Sequence, residues 1–429
     1  WTVCVINCGN RCPLRAFTKN GQVIRIETDN TRPDGDGCSP RQIRACLKGR
    51  SMRQRLYSPD RLKYPMKRVG ERGDGKFERI YEIIAREWVR IRDTYGNESI
   101  YWQYCSGQQS SVNSRAAWRR LMNLMGGYLR YYGSYSSAQI SAAFPMTYGK
   151  KVASAVSEIG KAKLYVAFGN NPSVTRGSGG SKSYQWACTV AKNNVRTIII
   201  DPMYSDTVAG KADQWIPIRP GTDAALVEAI AYELIRNQWI DQAFLDAYCI
   251  GFDEKTLPKG APAKSDYRSY ILGEGDDKTP KTPERASNIT GIPVETIVNL
   301  AREIGTTKPL FVAQGLGPQR QANGEQTARA IAMLPILTGQ VGLPGTSTGM
   351  EEDGTNWEPA YFPQLDNKVK VKIPCFLWTD AILHGKTMTA TADGIQGADC
   401  LGHDIKMIVN SGGNVLINQH SDSNRTDEI

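Results

Sequence analysis

Three cysteines near the start of the chain share a regular spacing, Cys4-x₃-Cys8-x₃-Cys12. Three thiolates on one winding loop, joined by a fourth from a distant segment, are typical of a [4Fe-4S] cluster. A zinc site more often uses Cys-x₂-Cys pairs and stays open as an alternative, as do unlinked structural thiols. A disulfide framework is disfavoured because the chain is large and these cysteines are crowded at one end.

Two further cysteines compete for the fourth position of this cluster. Cys38 lies in a glycine-rich segment, whereas Cys46 is followed by Lys48 and Arg50. A cluster ligated by thiolates carries net negative charge, so cations beside a ligand stabilise it. This argument favours Cys46 as the fourth ligand.

The composition of the 429 residues is that of a globular protein, with 40% hydrophobic and 22% charged residues. The length predicts about three domains. The formal net charge is +10, but Lys and Arg are dispersed among acidic residues, which disfavours a nucleic-acid-binding protein. The longest apolar runs are strand-sized, so we expect no membrane span, and any membrane association would come through a partner.

The predicted secondary structure that must position these side chains differs between the start and the rest of the chain. The first fifty or so residues are rich in turns, and alternation over 22–28 predicts a strand in a small cluster-binding β module. Helical periodicity follows at 80–92 and 116–125. Farther on, the predicted strands are 164–168, 197–200, 311–313 and 407–409, and the predicted helices include 224–235, 294–304 and 324–334.

Alternating strands and helices predict an α/β fold with a parallel sheet covered by helices on both faces. In such sheets ligands bind beyond the carboxyl ends of the strands, where the connecting loops meet. Each predicted strand ends in a loop carrying Gly, Asn, Asp or Gln. Any one of these loops is better explained as a turn, but four loops of similar chemistry together favour a nucleotide ligand. Neither a Gly-x-Gly-x-x-Gly after a strand nor a P-loop is present, which argues against classical NAD and ATP sites.

Several stretches together resemble the molybdopterin oxidoreductase family, and within it the catalytic subunits of three-subunit dimethyl sulfoxide reductases. The resemblance covers nearly the whole chain. It rests on Asn7-Cys8-Gly9-Asn10-Arg11-Cys12-Pro13-Leu14, Arg44-Ala45-Cys46-Leu47-Lys48-Gly49-Arg50-Ser51, and residues 59–68, 133–140, 168–172, 200–202, 216–223, 317–325 and 417–422.

The resemblance implies a multi-domain dimethyl sulfoxide reductase-type fold with parallel doubly wound sheets and a small N-terminal iron-sulfur β module. Its parts are expected at 1–65 for the cluster module, 66–150 with 345–429 for a discontinuous molybdopterin-binding domain, and 151–344 for a Rossmann-like dinucleotide-binding domain. A fourth, C-terminal cofactor-binding domain is expected to be absent from this chain. The implied cofactors are a [4Fe-4S] cluster, molybdenum and bis(molybdopterin guanine dinucleotide).

The resemblance also assigns site residues. Cys4, Cys8, Cys12 and Cys46 match the cluster ligands, Ser136 matches the serine ligand of molybdenum, with Ser137 as the near alternative, and Lys48 lies on the electron path from cluster to pterin. The matched cofactor contacts are Gln109, Ser110, Ser111, Val112, Asn113, Val174, Thr175, Ile200, Asp201, Gly221, Thr222, Asp223, Leu316, Gly317, Arg320 and Asn418.

Some of these matches also have plainer explanations. Asp201 and Asp223 suit guanine or ribose, and Gly221-Thr222 opens a helix whose N-terminus favours phosphate. Alternatively, Thr222 or Asp223 is only a helix cap, and Arg320 only a surface cation. The chain departs from close relatives in the loop 105–111, which lacks their glycines, and at Ser134, where an acid is usual. Both departures leave the substrate open.

The implied function is reduction of a sulfoxide or N-oxide by oxygen-atom transfer, with electrons entering through the cluster. The alternatives are reduction of another oxyanion such as selenate, a non-catalytic electron-transfer subunit of the same fold, and a zinc-binding structural protein. The implied partners are an iron-sulfur electron-transfer subunit and a membrane anchor that oxidises a quinol, with no nucleic acid. We expect a periplasmic location after export by a twin-arginine leader that this chain lacks, and a natural chain that continues beyond Ile429.

Overall fold

The computed structural model describes residues 1–6, 12–31, 44–80, 82–105, 113–175, 182–352, 362–420 and 422–429. The chain divides into two compact units. Unit 1 comprises Trp1–Asn30, Ile43–Tyr135 and Glu358–Ile429, and unit 2 comprises Thr31–Gln42 and Ser136–Trp357. No helix in the described ranges is both long enough and apolar enough to cross a membrane.

Unit 1 contains short strands and short helices. Its strands are Thr2–Val3 (β1), Pro13–Lys19 (β2), Gln22–Thr28 (β3), Met66–Arg68 (β4), Phe77–Arg79 (β5), Ile100–Trp102 (β6), Arg130–Tyr132 (β7), Lys372–Pro374 (β12) and Met407–Val409 (β13). Its α-helices are Leu47–Arg50 (α1), Met52–Leu56 (α2), Ile83–Tyr95 (α3), Ser114–Leu124 (α4), Trp378–His384 (α14), Ala390–Asp393 (α15), Val415–Asn418 (α16) and Ser423–Glu428 (α17), with 3₁₀ turns at Asn97–Ser99 and Gly385–Thr387.

A three-stranded antiparallel sheet, ordered β1-β2-β3, forms the start of unit 1. Strands β2 and β3 are joined by Asn20 and Gly21, both with positive φ, which is the two-residue turn that an Asn-Gly pair favours. The predicted strand 22–28 is confirmed by β3. The sheet places Cys4 just after β1 and Cys12 just before β2.

The rest of unit 1 includes two parallel pairs between segments far apart in sequence. Strand β13 pairs with β6 and β12 pairs with β7. The predicted strand 407–409 is thus confirmed, but it pairs with β6 and does not join the four-stranded sheet of unit 2. Helices α3 and α4 confirm the predictions at 80–92 and 116–125 with shifted ends.

Unit 2 is built from longer helices around one sheet. Its strands are Leu164–Phe168 (β8), Arg196–Ile200 (β9), Gln214–Ile216 (β10) and Leu310–Gln314 (β11). Its α-helices are Ala138–Tyr148 (α5), Lys182–Asn193 (α6), Asp206–Lys211 (α7), Asp223–Arg236 (α8), Gln242–Tyr248 (α9), Tyr267–Leu272 (α10), Pro283–Thr290 (α11), Val294–Thr306 (α12) and Gly324–Leu337 (α13), with 3₁₀ turns at Val156–Lys161 and Glu254–Thr256.

The sheet of unit 2 is parallel, with the order β10-β9-β8-β11. Successive side chains of β8 point to opposite faces of the sheet and enter two different cores. Val166 and Phe168 pack in the core formed with α8, α12 and α13. Tyr165 and Ala167 pack in the core formed with α6. Burial on both faces explains why the strands read as continuous apolar runs. The predicted α/β sheet with helices on both faces is confirmed.

The strand order reverses direction at β8, since β9 and β10 lie on one side of it and β11 on the other. The loops after β8 and β11 touch at this switch point. A β-carbon on Gly315 would collide with the carbonyl oxygen of Gly169, and one on Gly169 would lie 2.7 Å from Cδ of Pro318. Glycine at these positions therefore permits the close approach of the two loops.

We predict that Gly315→Ala lowers the free energy of unfolding by about 2 kcal/mol or more, because the added methyl group must displace backbone atoms. Gly210→Ala is the matched control, since nothing lies within 4 Å of a β-carbon there and the residue is in helix α7. The control should be neutral or slightly stabilising. Urea denaturation measures both, and equal stabilities for the two variants would contradict the close approach.

Candidate functional site

A backbone hydrogen bond joins Cys4 to Cys12, the first and third of the N-terminal cysteines. The N–H of Cys4 donates to the carbonyl of Cys12 at 2.8 Å, as an extension of the pairing of β1 with β2. Cys4 and Cys12 are buried, with 9% and 6% of their surfaces exposed. Cys8, between them, lies outside the described residues.

Cys46 leads directly into a helix that contacts Cys4. It precedes helix α1, and a β-carbon on Gly49 would lie 3.2 Å from Sγ of Cys4. The turn after Cys46 therefore packs directly on the Cys4 sulfur. Lys48 and Arg50 are exposed on α1, which leaves their cations at the surface of this region.

The donor set of this region fits an iron-sulfur cluster in chemistry and burial, because thiolates on two converging segments are shielded from water. Among the described residues, no three His, Cys, Asp or Glu side chains form a ready metal-binding group. Two of the five cysteines at issue, Cys8 and Cys38, are outside those residues. The assignment of the four ligands accordingly stays a prediction.

The second candidate region is the carboxyl edge of the sheet in unit 2. Asp201 follows β9 directly, and Asp223 begins helix α8. Their carboxyl groups are close enough for the charge of Asp201 to act on Asp223, and both residues are buried, with 8% and 5% exposed. Oδ1 of Asp201 accepts a hydrogen bond from the N–H of Met203 at 2.8 Å.

Burial raises the pKa of Asp223 to about 6, opposed by a hydrogen bond from its own N–H and assisted by the charge of Asp201. Burial also raises the pKa of Asp201, opposed by the N–H of Met203. Among the described residues neither carboxylate forms an ion pair, and two buried carboxylates of this kind favour a ligand that donates hydrogen bonds. The N1 and N2 groups of guanine are donors of this kind.

The start of α8 is suited to a phosphate. Thr222 occupies the N-cap position, but its hydroxyl donates to the carbonyl of Arg219 at 2.7 Å and caps no N–H of the helix. Thr222 therefore lies at the N-cap position without capping a helix N–H through its side chain. Gly221 has a positive φ, and a β-carbon there would meet Oε1 of Gln321, so α8 and the loop after β11 lie close together.

Ser136 is fixed to the loop after β11 through its backbone. Nε2 of Gln319 donates to the carbonyl of Ser136 at 2.9 Å and to the carbonyl of Leu316 at 2.7 Å. Nε of Arg320 donates to the same Ser136 carbonyl at 3.1 Å. Three predicted site residues, Ser136, Leu316 and Arg320, are thus brought together, with Arg320 exposed at the surface.

Helix α5 also helps to fix the position of Ser136. It begins just after Ser136, and Ile140 and Phe144 pack into a core with Ala328 and Ala332 of α13. The N–H of Ile140 donates to Oε1 of Gln319 at 3.3 Å. The position of Ser136 therefore depends on helix packing as well as on the loop.

The other predicted site residues are distributed over both units. Val174 and Thr175 are exposed in a turn after β8, and Ile200 is buried at the end of β9. Gly317 is exposed in the loop after β11. Asn113 caps helix α4 in unit 1, its Oδ1 accepting from the N–H of Ala116 at 2.8 Å, and Asn418 is exposed at the end of α16. Gln109, Ser110, Ser111 and Val112 lie outside the described residues.

A buried polar cluster at the switch point was missed by the sequence analysis. Nδ2 of Asn170 donates to Oε2 of Glu352 and to the hydroxyl of Tyr165, both at 2.9 Å, and all three residues are buried. The cluster fixes the loop after β8. Gln319 was also missed, although it lies in the stretch 317–325 that carried the resemblance, because its role depends on contacts that a local pattern does not reveal.

Comparison with protein families identifies the chain. The model described as "Molybdopterin oxidoreductase" matches residues 61–428, and the one described as "Molybdopterin oxidoreductase Fe4S4 domain" matches residues 1–58. The chain belongs to the molybdopterin oxidoreductase family. The predicted family and the predicted cofactor classes, molybdopterin and a [4Fe-4S] cluster, are confirmed by these matches.

Within this family, the chain is similar to curated relatives that are named as dimethyl sulfoxide reductases. The chain is 55% identical to the putative dimethyl sulfoxide reductase chain YnfE of Escherichia coli and 54% identical to the dimethyl sulfoxide reductase DmsA of the same species. It is 52% identical to the dimethyl sulfoxide reductase DmsA of Haemophilus influenzae. Each alignment covers 100% of this chain and 54–55% of the relative, so the chain spans about half the length of the curated relatives it matches.

A solved structure supports the fold alone. Acetylene hydratase from Pelobacter acetylenicus matches with a TM-score of 0.59 at 23% identity, over 80% of this chain and 44% of that one. The similarity agrees with the α/β architecture described above.

We predict that Cys46→Ser abolishes the [4Fe-4S] signal, because a serine hydroxyl is a poor substitute for a thiolate on iron. Electron paramagnetic resonance of the reduced protein and its iron content measure the effect. Cys105→Ser is the control, since Cys105 is buried in a separate core of unit 1. A retained signal in Cys46→Ser together with a lost signal in Cys38→Ser would assign the fourth position to Cys38.

We predict that ionisation of Asp223 destabilises the cofactor-free protein. Its pKa is about 6 in the folded state against 3.8 ordinarily, so between these values only the unfolded state is ionised. The unfolded state then binds fewer protons, and stability falls as pH rises through this window, by about 3 kcal/mol in total. Below pH 3.8 the stabilisation is fully present, and above about 6 it is lost.

Urea denaturation between pH 4 and pH 7 measures this effect by comparison of variants. Asp223→Asn stays neutral at every pH and should lack the fall, whereas Asp246→Asn, on the exposed surface of α9, should keep it. The same pH dependence in Asp223→Asn and the unmodified protein would show that the carboxyl group is not held in its neutral form.

Proposed function

We propose that the protein is a molybdenum-dependent enzyme that reduces a sulfoxide or N-oxide by oxygen-atom transfer, with electrons delivered through a [4Fe-4S] cluster. The observation that carries this proposal is the identity of 52–55%, over the whole of this chain, to relatives named as dimethyl sulfoxide reductases. The backbone anchoring of Ser136 beside the loop after β11 supports it, since a metal ligand must be held in a fixed position.

The molybdenum cofactor is proposed to be bis(molybdopterin guanine dinucleotide), which when bound supplies two-electron oxygen-atom transfer. Asp201 and Asp223 would accept hydrogen bonds from a guanine, and the uncapped start of α8 would bind phosphate. Ser136 would ligate the metal, with Ser137 as the alternative. A hydroxyl oxygen is a hard donor that suits a metal of high valence.

The remaining contacts complete the proposed cofactor site. The cluster would be held by Cys4, Cys8, Cys12 and Cys46, with Lys48 on the path of electrons to the pterin. The further pterin or nucleotide contacts are proposed at Gln109 to Asn113, Val174, Thr175, Ile200, Gly221, Thr222, Leu316, Gly317, Arg320 and Asn418.

The wider setting is part of the same proposal. The cluster module is assigned to 1–65, the molybdopterin-binding domain to 66–150 with 345–429, and the dinucleotide-binding domain to 151–344. An iron-sulfur subunit and a quinol-oxidising membrane anchor would supply electrons on the periplasmic side of the membrane, after export by a twin-arginine leader. The relatives named as dimethyl sulfoxide reductases support this setting by their similarity.

The proposal predicts that Ser136→Ala in the full-length protein abolishes turnover of dimethyl sulfoxide and trimethylamine N-oxide with a reduced dye. The signal of the reduced [4Fe-4S] cluster should stay unchanged, because the substitution leaves its ligands intact. Ser141→Ala, one turn into α5, is the control and should retain activity. Retained activity in Ser136→Ala with lost activity in Ser137→Ala would move the ligand to Ser137, and activity in both variants would refute a serine ligand here.

A further inference from the structure

A cavity of about 320 Å³ lies within unit 1, and none of its lining residues is assigned to the proposed cofactor site. Five of its lining side chains present hydrogen-bonding groups from four elements of secondary structure. They are Trp102 at the end of β6, Arg119 and Asn123 on α4, Arg130 at the start of β7 and Lys372 at the start of β12.

The polar groups of this cavity are buried without hydrogen-bond partners in the described structure. Nε1 of Trp102, Nε of Arg119 and Nε of Arg130 are donors of this kind, and Oδ1 of Asn123 is an acceptor. Trp102 is 1% exposed and Asn123 is 8% exposed. A buried polar group left unpaired is destabilising, so four such groups around one cavity favour a ligand that would pair with them.

The geometry of the wall fixes these groups in place. Nδ2 of Asn123 donates to the carbonyls of Gln364 and Leu365 at 2.8 and 3.0 Å, which leaves its Oδ1 as the available atom. The guanidinium of Arg119 lies 5.8 Å from the ring centre of Trp102. Arg130 and Lys372 are paired across the parallel strands β7 and β12. The donors are therefore preorganised by four elements of regular structure.

The charge of the cavity is positive. Arg119, Arg130 and Lys372 line it together with one carboxylate, Asp366, which is exposed. Within the described ranges none of these three cations forms an ion pair with Asp or Glu. Burial raises the pKa of the neighbouring Tyr128, and the charges of Arg119 and Arg130 partly offset that rise, which places both cations around the same ring.

We infer that this cavity binds a phosphate group. Guanidinium and ammonium groups with an indole N–H match the several acceptor oxygens of a tetrahedral oxyanion. The acceptor Oδ1 of Asn123 requires a ligand that also donates a hydrogen bond, which a hydrogenphosphate ion or a hydroxyl-bearing phosphate ester provides and a sulfate ion does not. The volume exceeds that of the ion alone and accommodates a small organic substituent.

Calorimetric titration of the full-length protein at constant ionic strength tests the inference. The probes are inorganic phosphate, ribose 5-phosphate and sulfate. Phosphate or ribose 5-phosphate should bind saturably, and sulfate at least tenfold more weakly. Tighter binding of ribose 5-phosphate would identify an organic phosphate as the ligand, and tighter binding of inorganic phosphate would identify the free ion. Saturable binding of neither phosphate, or sulfate binding as tightly as phosphate, would overturn the inference.

Charge-neutralising variants locate the binding in this cavity. Arg130→Gln and Arg119→Gln should each weaken binding about tenfold or more, since each removes a charge-assisted hydrogen bond. Arg120→Gln removes the same charge from the next residue, whose Nη1 donates to the carbonyl of Pro363 outside the cavity, and should change binding less than twofold. Equal weakening in all three variants would show a general effect of charge and would overturn the assignment.

A second measurement covers the case in which an Arg130 or Arg119 variant fails to fold. Lys372→Gln, at the start of an edge strand of a two-stranded pair, removes a cation with less disturbance of the core. Phosphate should raise the melting temperature of the unmodified protein and of Arg120→Gln more than that of Lys372→Gln. The same rise in all three proteins would overturn the inference.

Discussion

The close approach of the loops after β8 and β11 is the constraint on which the site in unit 2 depends. Four parallel strands, buried on both faces, bring their carboxyl ends to one edge, and the strand order reverses at β8. Gly169 and Gly315 permit the loops to touch there. The loop after β11 then reaches Ser136 through Gln319 and Arg320, so the sheet topology determines where that serine lies.

Electrostatics at the same edge follow from burial. Asp201 and Asp223 lie where the sheet and α8 converge, and burial disfavours their charged forms. Such groups reduce the stability of the cofactor-free protein at neutral pH. A ligand that donates hydrogen bonds to these carboxyl groups would offset the loss of stability. Binding sites commonly reduce the stability of the ligand-free protein in this way, and the bound ligand restores it.

Much of unit 2 could be predicted from the sequence, because strands buried on both faces read as apolar runs such as 164–168 and the helices between them are strongly periodic. The pairing of 407–409 with Ile100–Trp102 could not be predicted, since it joins segments about 300 residues apart and leaves no local pattern. The same reason applies to Glu352 and Gln319, whose roles arise from tertiary contacts. The cysteine spacing favoured an iron-sulfur cluster over zinc, and the family resemblance added the molybdenum site with Ser136 as its ligand.

Metal analysis of the purified full-length protein tests the central claim most directly, because the fold alone is compatible with a non-catalytic electron-transfer subunit. The proposed function predicts about one molybdenum and about four iron atoms per chain, as one molybdenum cofactor and one [4Fe-4S] cluster require. Iron without molybdenum, in protein prepared under conditions that load molybdenum into known molybdoenzymes, would contradict the assignment of this chain to a molybdenum-dependent reductase.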